Sequence, residues 1–536
     1  MRILATYMGH ESTITVYDNG KITTIELDKL TGEKWFRGAN IPYAELANIL
    51  LEAFEYTGGN KFDVWINGSF DHNMFNGQVW HQRFGRIVDA KRVIHGPGHH
   101  LLHAYCGLFQ SPFDKALILS SDGGGNDGNF NIYRADKKTG ISLFEKIERF
   151  DFATTYGLVG SLSPEIKENQ DFLNIAGKAM GLAAFYTPAE PLTDLDRGIR
   201  DDAHAIHGGQ GTRRLRKHFS ELDTDSKKDW KNHNINLSRR KKGLIQLDDE
   251  LAARRLLYWN QYALDHKMQN ILDDRQYEVF SRYDAQIILV GGVALNVTTN
   301  EYLKSDGYNT FVPCNPSDRG LSLGMIYWYL YLTGMDIPEG SQHFSGMPLI
   351  KDKIQKTKRK ATIKSIAKLL RAGAIIGVAE GPNEIGQRAL GRRSIICDPT
   401  IPDMKDKINA QVKFREKYRP FAPIMLEEHL HYLDTVNVDN LEYMSYGIKT
   451  TEEFQESFPS VCHVDGTARA QLCTDTNSTV YKLMKELGTP LLNTSFNIQG
   501  QPIIARESEA FIMLEQGGLD AILLEGVLYK KPLDDK

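Results

Sequence analysis

The chain has 536 residues, 41% hydrophobic and 25% charged, with a formal net charge of −4; this excludes disorder and collagen-like repeats and predicts two to four domains. No apolar run approaches the roughly 18 residues of a membrane span, and the opening MRILATYMGHEST does not read as a signal peptide. Cys106, Cys314, Cys397, Cys462 and Cys473 are odd in number, scattered and without a CxxC pair, which argues against a disulfide framework or zinc ribbon and makes a reducing cytoplasm the expected compartment.

In chain order, residues 3–8 and 13–17 predict two strands joined through Gly9-His10-Glu11-Ser12, and residues 22–25 a third strand after a turn at 18–21. Residues 43–56 predict a helix. Residues 116–121 (ALILSS) predict an apolar strand, followed by the loop Asp122–Gly128 and the strand NFNIYRA, a second strand–Gly loop–strand unit. Residues 249–273 predict a long amphipathic helix. The buried strand QIILV (286–290) ends in Gly291-Gly292, and a helix follows from ALNVTTNEYL. Helix N-terminal amides beside glycines suit a phosphate or nucleoside, although a glycine pair alone is weak evidence. Residues 336–350 read as a linker, 352–372 as a basic helix, and AIIGVAE as a strand before an arginine- and glycine-rich stretch. No internal repeat is visible in the sequence.

Charge is unevenly spread. The segment 197–243 holds 13 Lys/Arg against 6 Asp/Glu, and 351–371 holds 9 against 1, so the remainder is acidic. Such stretches attract polyanions, although a solvated face is the plainer reading. The region 190–243 has weak periodicity and reads as an insertion.

Four groups of residues carry chemistry. His99 and His103 lie four apart, on one face of a helix, a spacing that suits two imidazole ligands. Asp122 and Asp318 are carboxylates that would complete a mixed N/O set for Fe(II), Mn(II) or Zn(II); surface or capping histidines are the alternative. His10, with Glu11 beside it, is a candidate general base or a structural histidine. The Asp122–Gly128 loop reads either as a backbone anion cradle or as a hairpin turn. In the C-terminal half, GQRALGRRS (386–394), Lys413, Arg415, Arg419, Arg469 and NTSFN (493–497) collect cations and neutral donors between turns, as a pocket for a highly charged phosphate ligand requires.

GHHLLHAYCG, SSDGGGNDG, GKAMGLAAF, VGGVALNVTTN, VPCNPSDRGLSLG, GQRALGRRSIICDP, YRPFAPIM and LLNTSFNIQGQPII run, with His10 ahead of them, in one order over nearly the whole chain. In this the sequence resembles the O-carbamoyltransferases of the NodU/CmcH type. The resemblance implies an α/β fold. An N-terminal actin/hexokinase-like (threonylcarbamoyl-transferase-like) domain would span 1–345, with the basic insertion at about 190–243. A C-terminal YrdC-like α/β domain would span 350–536. It implies ATP-dependent O-carbamoyl transfer from carbamoyl phosphate, through carbamoyl-adenylate, to an acceptor hydroxyl. Arg388, Arg393, Lys413, Arg419, Arg469 and Ser495 would hold carbamoyl phosphate and the ATP phosphates. His99, His103, Asp122 and Asp318 would hold a divalent metal, Fe(II) foremost, with Mn and Zn as alternatives and Mg as a further ion. His10 would take the acceptor proton, and Gly123, Gly124, Gly291, Gly292 and Asn296 would contact the adenylate.

The sequence departs from the family pattern at Thr13, in LDKLTGEKWFRG (27–38) and in the basic 190–243 region. These are the places expected to shape an acceptor pocket. The basic stretches favour a hydroxymethyl group of a modified pyrimidine (5-hydroxymethylcytosine) in DNA or as a nucleotide. A sugar or natural-product hydroxyl is the alternative, and a metabolite-binding protein without turnover the alternative of another class. No membrane partner is expected; an oligomer is allowed.

Overall fold

The computed structural model describes residues 1–68, 84–148, 150–166, 172–207, 250–276, 286–352, 359–434 and 439–531. Most of the basic 197–243 stretch and residues 353–358 of the second lie outside them.

The N-terminal half is built on two five-stranded sheets. The first contains β1 (Arg2–Tyr7), β2 (Thr13–Asp18), β3 (Lys21–Glu26), β4 (Lys61–Gly68) and β5 (Asp89–His95) in the order β3-β2-β1-β4-β5. The second contains β6 (Lys115–Gly125), β7 (Gly128–Asp136), β8 (Gly140–Lys146), β9 (Gln286–Val290) and β10 (Asn309–Phe311) in the order β10-β9-β6-β7-β8. Read from the other edge, this is the same order. In each sheet an antiparallel meander of three strands is extended by two parallel ones. The fold therefore contains a duplication, where the sequence shows no repeat. Sheet register constrains only which positions are apolar, so two copies can share topology without sharing residues. This doubled arrangement is the actin/hexokinase-like core expected from the resemblance.

Two helices pack between the sheets, His99–Gln110 and Leu321–Thr333. The second is apolar nearly all round and buried along most of its length, as a core helix must be. They cross at Gly324, where a β-carbon would stand 2.2 Å from the Leu102 carbonyl oxygen. That close approach brings the residues before Leu321 up to the histidine face of the other helix.

The C-terminal half is a mixed eight-stranded sheet flanked by helices. β11 (Arg359–Lys360), β12 (Ile376–Ala379), β13 (Arg393–Cys397), β14 (Ala422–Met425), β17 (Gln471–Leu472), β18 (Leu491–Ser495), β19 (Ala521–Leu524) and β20 (Val527–Lys530) lie in the order β11-β20-β19-β12-β13-β18-β14-β17. β15 (Ile448–Lys449) and β16 (Thr467–Ala468) form a separate ribbon.

The expected linker is a stitched strap. Ser345 accepts from the Thr24 N–H in the first sheet, while Gly346 and Met347 pair with Asn383 in the C-terminal half. Gly346 leaves no room for a side chain there, since a β-carbon would fall 1.6 Å from Asn383 Oδ1. The basic helix is shorter than expected, Ile363–Arg371, behind a Thr362 cap and the short β11. The long helix runs Glu250–Gln276. None of the described helices is long and apolar enough to cross a membrane.

Candidate active site

The turn between β1 and β2 carries His10, and Asp122 lies in the irregular end of β6, just ahead of the matching turn of the second sheet. His99 and His103 stand on the first two turns of their helix. The loop after β6 seats that helix: Asn126 Oδ1 accepts from the His99 N–H at 2.9 Å, and Asp127 Oδ1 from the His100 N–H at 3.1 Å. This satisfies donors that a helix start leaves open. His100 points away and spans Ser120 Oγ (2.7 Å) and the Gly128 carbonyl (2.8 Å), locking the helix to β6 and β7.

His99, His103, Asp122 and Asp318 each offer one ligand atom, and these atoms lie within 4.8 Å of one another. The two Nε2 atoms face each other at 3.1 Å. Asp318 Oδ1 is 3.3 Å from His99 Nε2 and 3.4 Å from His103 Nε2, and Asp122 Oδ2 is 3.4 Å from His103 Nε2. Asp318 Oδ1 is buried with no hydrogen-bond donor, while Oδ2 accepts from Tyr7 Oη and faces His10 Nε2 at 3.4 Å. Converging lone pairs and an orphaned carboxylate oxygen fit a divalent cation, and the mixed imidazole–carboxylate set suits Fe(II), Mn(II) or Zn(II).

The protein's own charges are balanced for this. Burial opposes charge on Asp318, but the imidazoles of His10, His99 and His103 outweigh it and hold the carboxyl well below the usual range. Burial pushes His99 down to about 4. It opposes charge on His103 too, yet the neighbouring carboxylates of Asp122 and Asp318 raise that imidazole to about 9. One proton thus sits among two carboxylates and two imidazoles at neutral pH, a charge a divalent cation would replace. His10 is raised because Asp318, Glu11 and Asp122 outweigh its burial.

Gly291 explains a different part of the geometry than expected. Its φ is +85°, and a β-carbon would lie 2.2 Å from the Ser121 carbonyl oxygen. It is packed under β6 rather than lining the cavity, and it lets the Gly292 N–H reach Asp122 Oδ2 at 2.7 Å.

A cavity of about 1180 Å³ opens from this cluster. Gly123, Gly124, Gly292 and Asn296 line it beside His10, His99, Asp122 and Asp318. Asn296 Oδ1 caps the helix Val297–Ser305 and its amide pairs with Gln261. The same cavity continues to Arg388, Lys413, Arg415, Arg419, Arg469 and Ser495 in the C-terminal half. Burial lowers all four arginines, and repulsion from neighbouring guanidinium groups adds to it at Arg388, lowered to about 10, and at Arg415 and Arg469. Cations gathered this closely are relieved by an anion. Lys413 Nζ is spent on Asn497 and on the Ser495 carbonyl, so it shapes the NTSFN loop.

Arg393 differs from expectation. It is fully buried, lies outside the cavity lining, and donates to the carbonyls of Glu380, Gly381 and Arg392 at 2.9 Å each. It ties β13 to the end of β12, while Arg415 lines the cavity. Both flank apolar or glycine residues, and spacing alone does not say which guanidinium turns inward.

The sequence reading also missed a buried ionic network. Arg319, 5% exposed, meets Glu11 (2.9 Å), Glu26 (2.8 Å) and Asp28 (2.5 Å); Lys29 pairs with Glu26. Glu11 also accepts from Ser317 at 2.8 Å and Gln387 at 3.3 Å. These bonds fix the His10 turn from behind.

With this geometry in place, the comparisons say what the chain is similar to. Residues 367–531 match the family described as Carbamoyltransferase C-terminus. The chain is 29% identical over 484 residues to nodulation protein NolNO of Sinorhizobium fredii, covering 84% of this chain and 66% of that one. It is 31% identical over 258 residues to nodulation protein U of the same organism, covering 46% and 45%. The chain is thus similar to carbamoyltransferases over residues 367–531, and to the nodulation proteins over a longer stretch. It spans just under two thirds of the length of NolNO and under half that of nodulation protein U. Among solved structures it is similar to HypF of T. kodakarensis, with 14% identity, a TM-score of 0.35, and coverage of 62% of this chain and 48% of that one. The family match falls on the half that carries the arginine cluster.

Proposed function

We propose that this chain is an ATP-dependent O-carbamoyltransferase. Carbamoyl phosphate would be cleaved at the arginine end of the cavity. The carbamate would attack the α-phosphate of ATP, releasing pyrophosphate and forming carbamoyl-adenylate. An acceptor hydroxyl would then take the carbamoyl group and release AMP. The observation that carries this reading is the single cavity reaching from Arg388, Arg415, Arg419 and Arg469 to His10 and the His99–His103–Asp122–Asp318 cluster. Carbamate is a poor electrophile, and an adenylate that makes AMP the leaving group is labile; a shared, enclosed space protects it from water.

The arginines would bind and neutralise the phosphates. Gly292, its N–H already donated to Asp122, and Asn296 would border the adenosine. His10 would accept the acceptor proton at Nδ1, the ring nitrogen without a partner, while Nε2 faces Asp318 Oδ2 and Glu11 anchors the turn. A divalent cation in the cluster would supply Lewis-acid polarisation of the carbamoyl oxygen.

A hydroxymethylpyrimidine, as nucleotide or in DNA, is the acceptor we put first. Lys34 and Arg37 line the cavity, Arg37 close enough to act on His10, and favour an anionic acceptor. The described parts of the two basic stretches add nothing to this: Arg197 and Arg200 pair with Asp194 and Asp201, and Lys364, Lys368 and Arg371 sit on an exposed face outside the cavity. A sugar or natural-product hydroxyl is the second reading, favoured by Trp35 in the same lining. The test is mass spectrometry after incubation with ATP, carbamoyl phosphate and a panel of hydroxymethylcytosine DNA, hydroxymethylcytosine nucleotide, aminoglycosides and simple sugars. One added carbamoyl group with AMP released supports the reaction and names the acceptor class. Absence of both AMP and carbamoylated product refutes turnover and leaves a metabolite-binding protein.

A further inference from the structure

His463 lines the same cavity, and none of the roles above uses it. Its backbone closes the turn before β16: the N–H donates to the Thr467 carbonyl at 2.8 Å, and the carbonyl accepts from Gly466 at 3.0 Å. The side chain is 7% exposed. Phe185, from the GKAMGLAAF segment of the N-terminal half, meets the ring edge-on at 5.8 Å. Nδ1 lies 3.4 Å from Asp465 Oδ1. That oxygen is itself held by the Thr467 N–H (3.0 Å) and Oγ1 (2.7 Å). Nε2 is buried and has no hydrogen-bond partner.

A buried imidazole nitrogen left unpaired is costly, and such atoms persist where a ligand completes them. Asp465 accepts only, so Nδ1 carries the hydrogen and the lone pair sits on Nε2. The result is a basic nitrogen beside an anion pocket, oriented by a carboxylate behind it, which is the general arrangement of a base and its positioning residue.

We propose that His463 is the general base of the activating half-reaction, drawing a proton from the water that attacks carbamoyl phosphate, with Asp465 as its positioning residue. The inference rests on the carbamoyltransferase reading above and assigns a step within it. Water gives one proton to Nε2 as its oxygen bonds to the carbamoyl carbon. The bond from that carbon to the phosphate oxygen breaks, and the phosphate leaves with the electron pair towards the arginines. The imidazolium then returns its proton to the departing phosphate. Carbamic acid remains, ionises to carbamate, and is the nucleophile for ATP.

The experiment compares H463Q and D465N with the wild-type full chain by two routes. In the first, carbamoyl phosphate is supplied and phosphate release is timed. In the second, ammonium carbamate and ATP are supplied and pyrophosphate release is timed, which bypasses the proposed step. H463Q should slow the first route by about 10²–10³-fold with KM little changed, while the second stays within roughly threefold of wild type. D465N should show the same split at about tenfold, and it carries the test should H463Q melt below wild type. An equal fall in both routes, or no fall in phosphate release, overturns the proposal. Wild-type protein that releases neither phosphate nor pyrophosphate refutes the carbamoyltransferase reading itself, and this inference with it.

Discussion

Replacing Arg319 by methionine would remove one guanidinium and leave Glu11, Glu26 and Asp28 buried without it. All three carboxylates lie within 2.9 Å of that guanidinium, and each is no more than 3% exposed. Removing one partner of a buried ion pair costs about 3–5 kcal/mol, because the remaining charge is neither solvated nor compensated. Lys29 still neutralises Glu26, and the other two can escape by protonating, so the same range is expected at pH 8. The pH dependence follows from Glu11. Burial raises its pKa in the native protein, and Arg319 is the largest influence opposing that rise. Without Arg319 it rises further. A carboxyl raised on folding contributes stability below its unfolded value and loses it as pH climbs through the folded value. The deficit of R319M against wild type should therefore be smaller at pH 5 than at pH 8. Urea unfolding followed by tryptophan fluorescence reads it locally, since the Trp35 ring lies 5.6 Å from the guanidinium carbon. A loss under about 1 kcal/mol at pH 8, or a deficit that grows towards pH 5, would refute the view that this network is a charge-compensated core.

Other outcomes follow from the same structure. Burial pushes Asp265 up to about 7, although Thr299 and Gln261 both donate to its Oδ1 at 2.7 Å; D265N keeps an acceptor there and should out-melt wild type at pH 8.5 by up to about 4 kcal/mol, a difference that narrows to about 1.5 kcal/mol at pH 5 and is gone only below about pH 4. Arg393→Lys should lower the melting temperature and leave KM for carbamoyl phosphate near wild type, because its guanidinium serves three carbonyls. Arg415→Ala should raise that KM at least about tenfold and blunt the stabilisation of the protein by added pyrophosphate, which differential scanning fluorimetry records. Chelation, or Asp318→Asn, should lower metal content and carbamoyl transfer while AMP-forming activation persists; undiminished transfer by metal-stripped protein would defeat the metal role.

The parts legible in the sequence are those written in local pattern. HHLLH gives two imidazoles on one helical face, and the two strand–Gly–strand units mark the turn that carries His10 and the one just after Asp122. Asp318 is legible only as a candidate carboxylate until the resemblance places it, since nothing local relates it to residues two hundred positions earlier. The Arg319 network illustrates what stays hidden. Glu11, Glu26, Asp28 and Lys29 read as ordinary polar residues beside strands, and their burial depends on a guanidinium about three hundred residues away. Arg393 and Arg415 fail for another reason. Both sit in basic, glycine-bearing loops, and the choice of which turns inward is made by carbonyls at 380–381 that a one-dimensional reading does not place. His463 was passed over because a lone histidine in a loop has no periodic or spacing signal; its meaning comes from Asp465 behind it and an unfilled hydrogen bond in front.

The ionic network also sets how the two ends of the cavity are related. Glu26, which pairs with Arg319, accepts from the Gly386 N–H at 3.1 Å, and Lys29 donates to the Glu384 carbonyl at 2.7 Å. Gln387, the residue before Arg388, reaches both Ser317 and Glu11. The start of the arginine motif is thus bonded to the same carboxylates that fix the His10 turn and stand beside Asp318. Farther along the cavity, buried Lys178 pairs with Glu416 at 2.5 Å, between Arg415 and Arg419. Polar bonds of this kind are directional, so they hold one relative placement of the halves where an apolar contact would tolerate sliding. In the proposed reaction, a labile adenylate made at one end would be useful only if it met the acceptor before water did. R319M should therefore do more than destabilise: in the surviving folded fraction, AMP release should exceed carbamoylated product. A variant that loses stability yet keeps the wild-type ratio of AMP to product would separate the network's structural role from any part in that coupling.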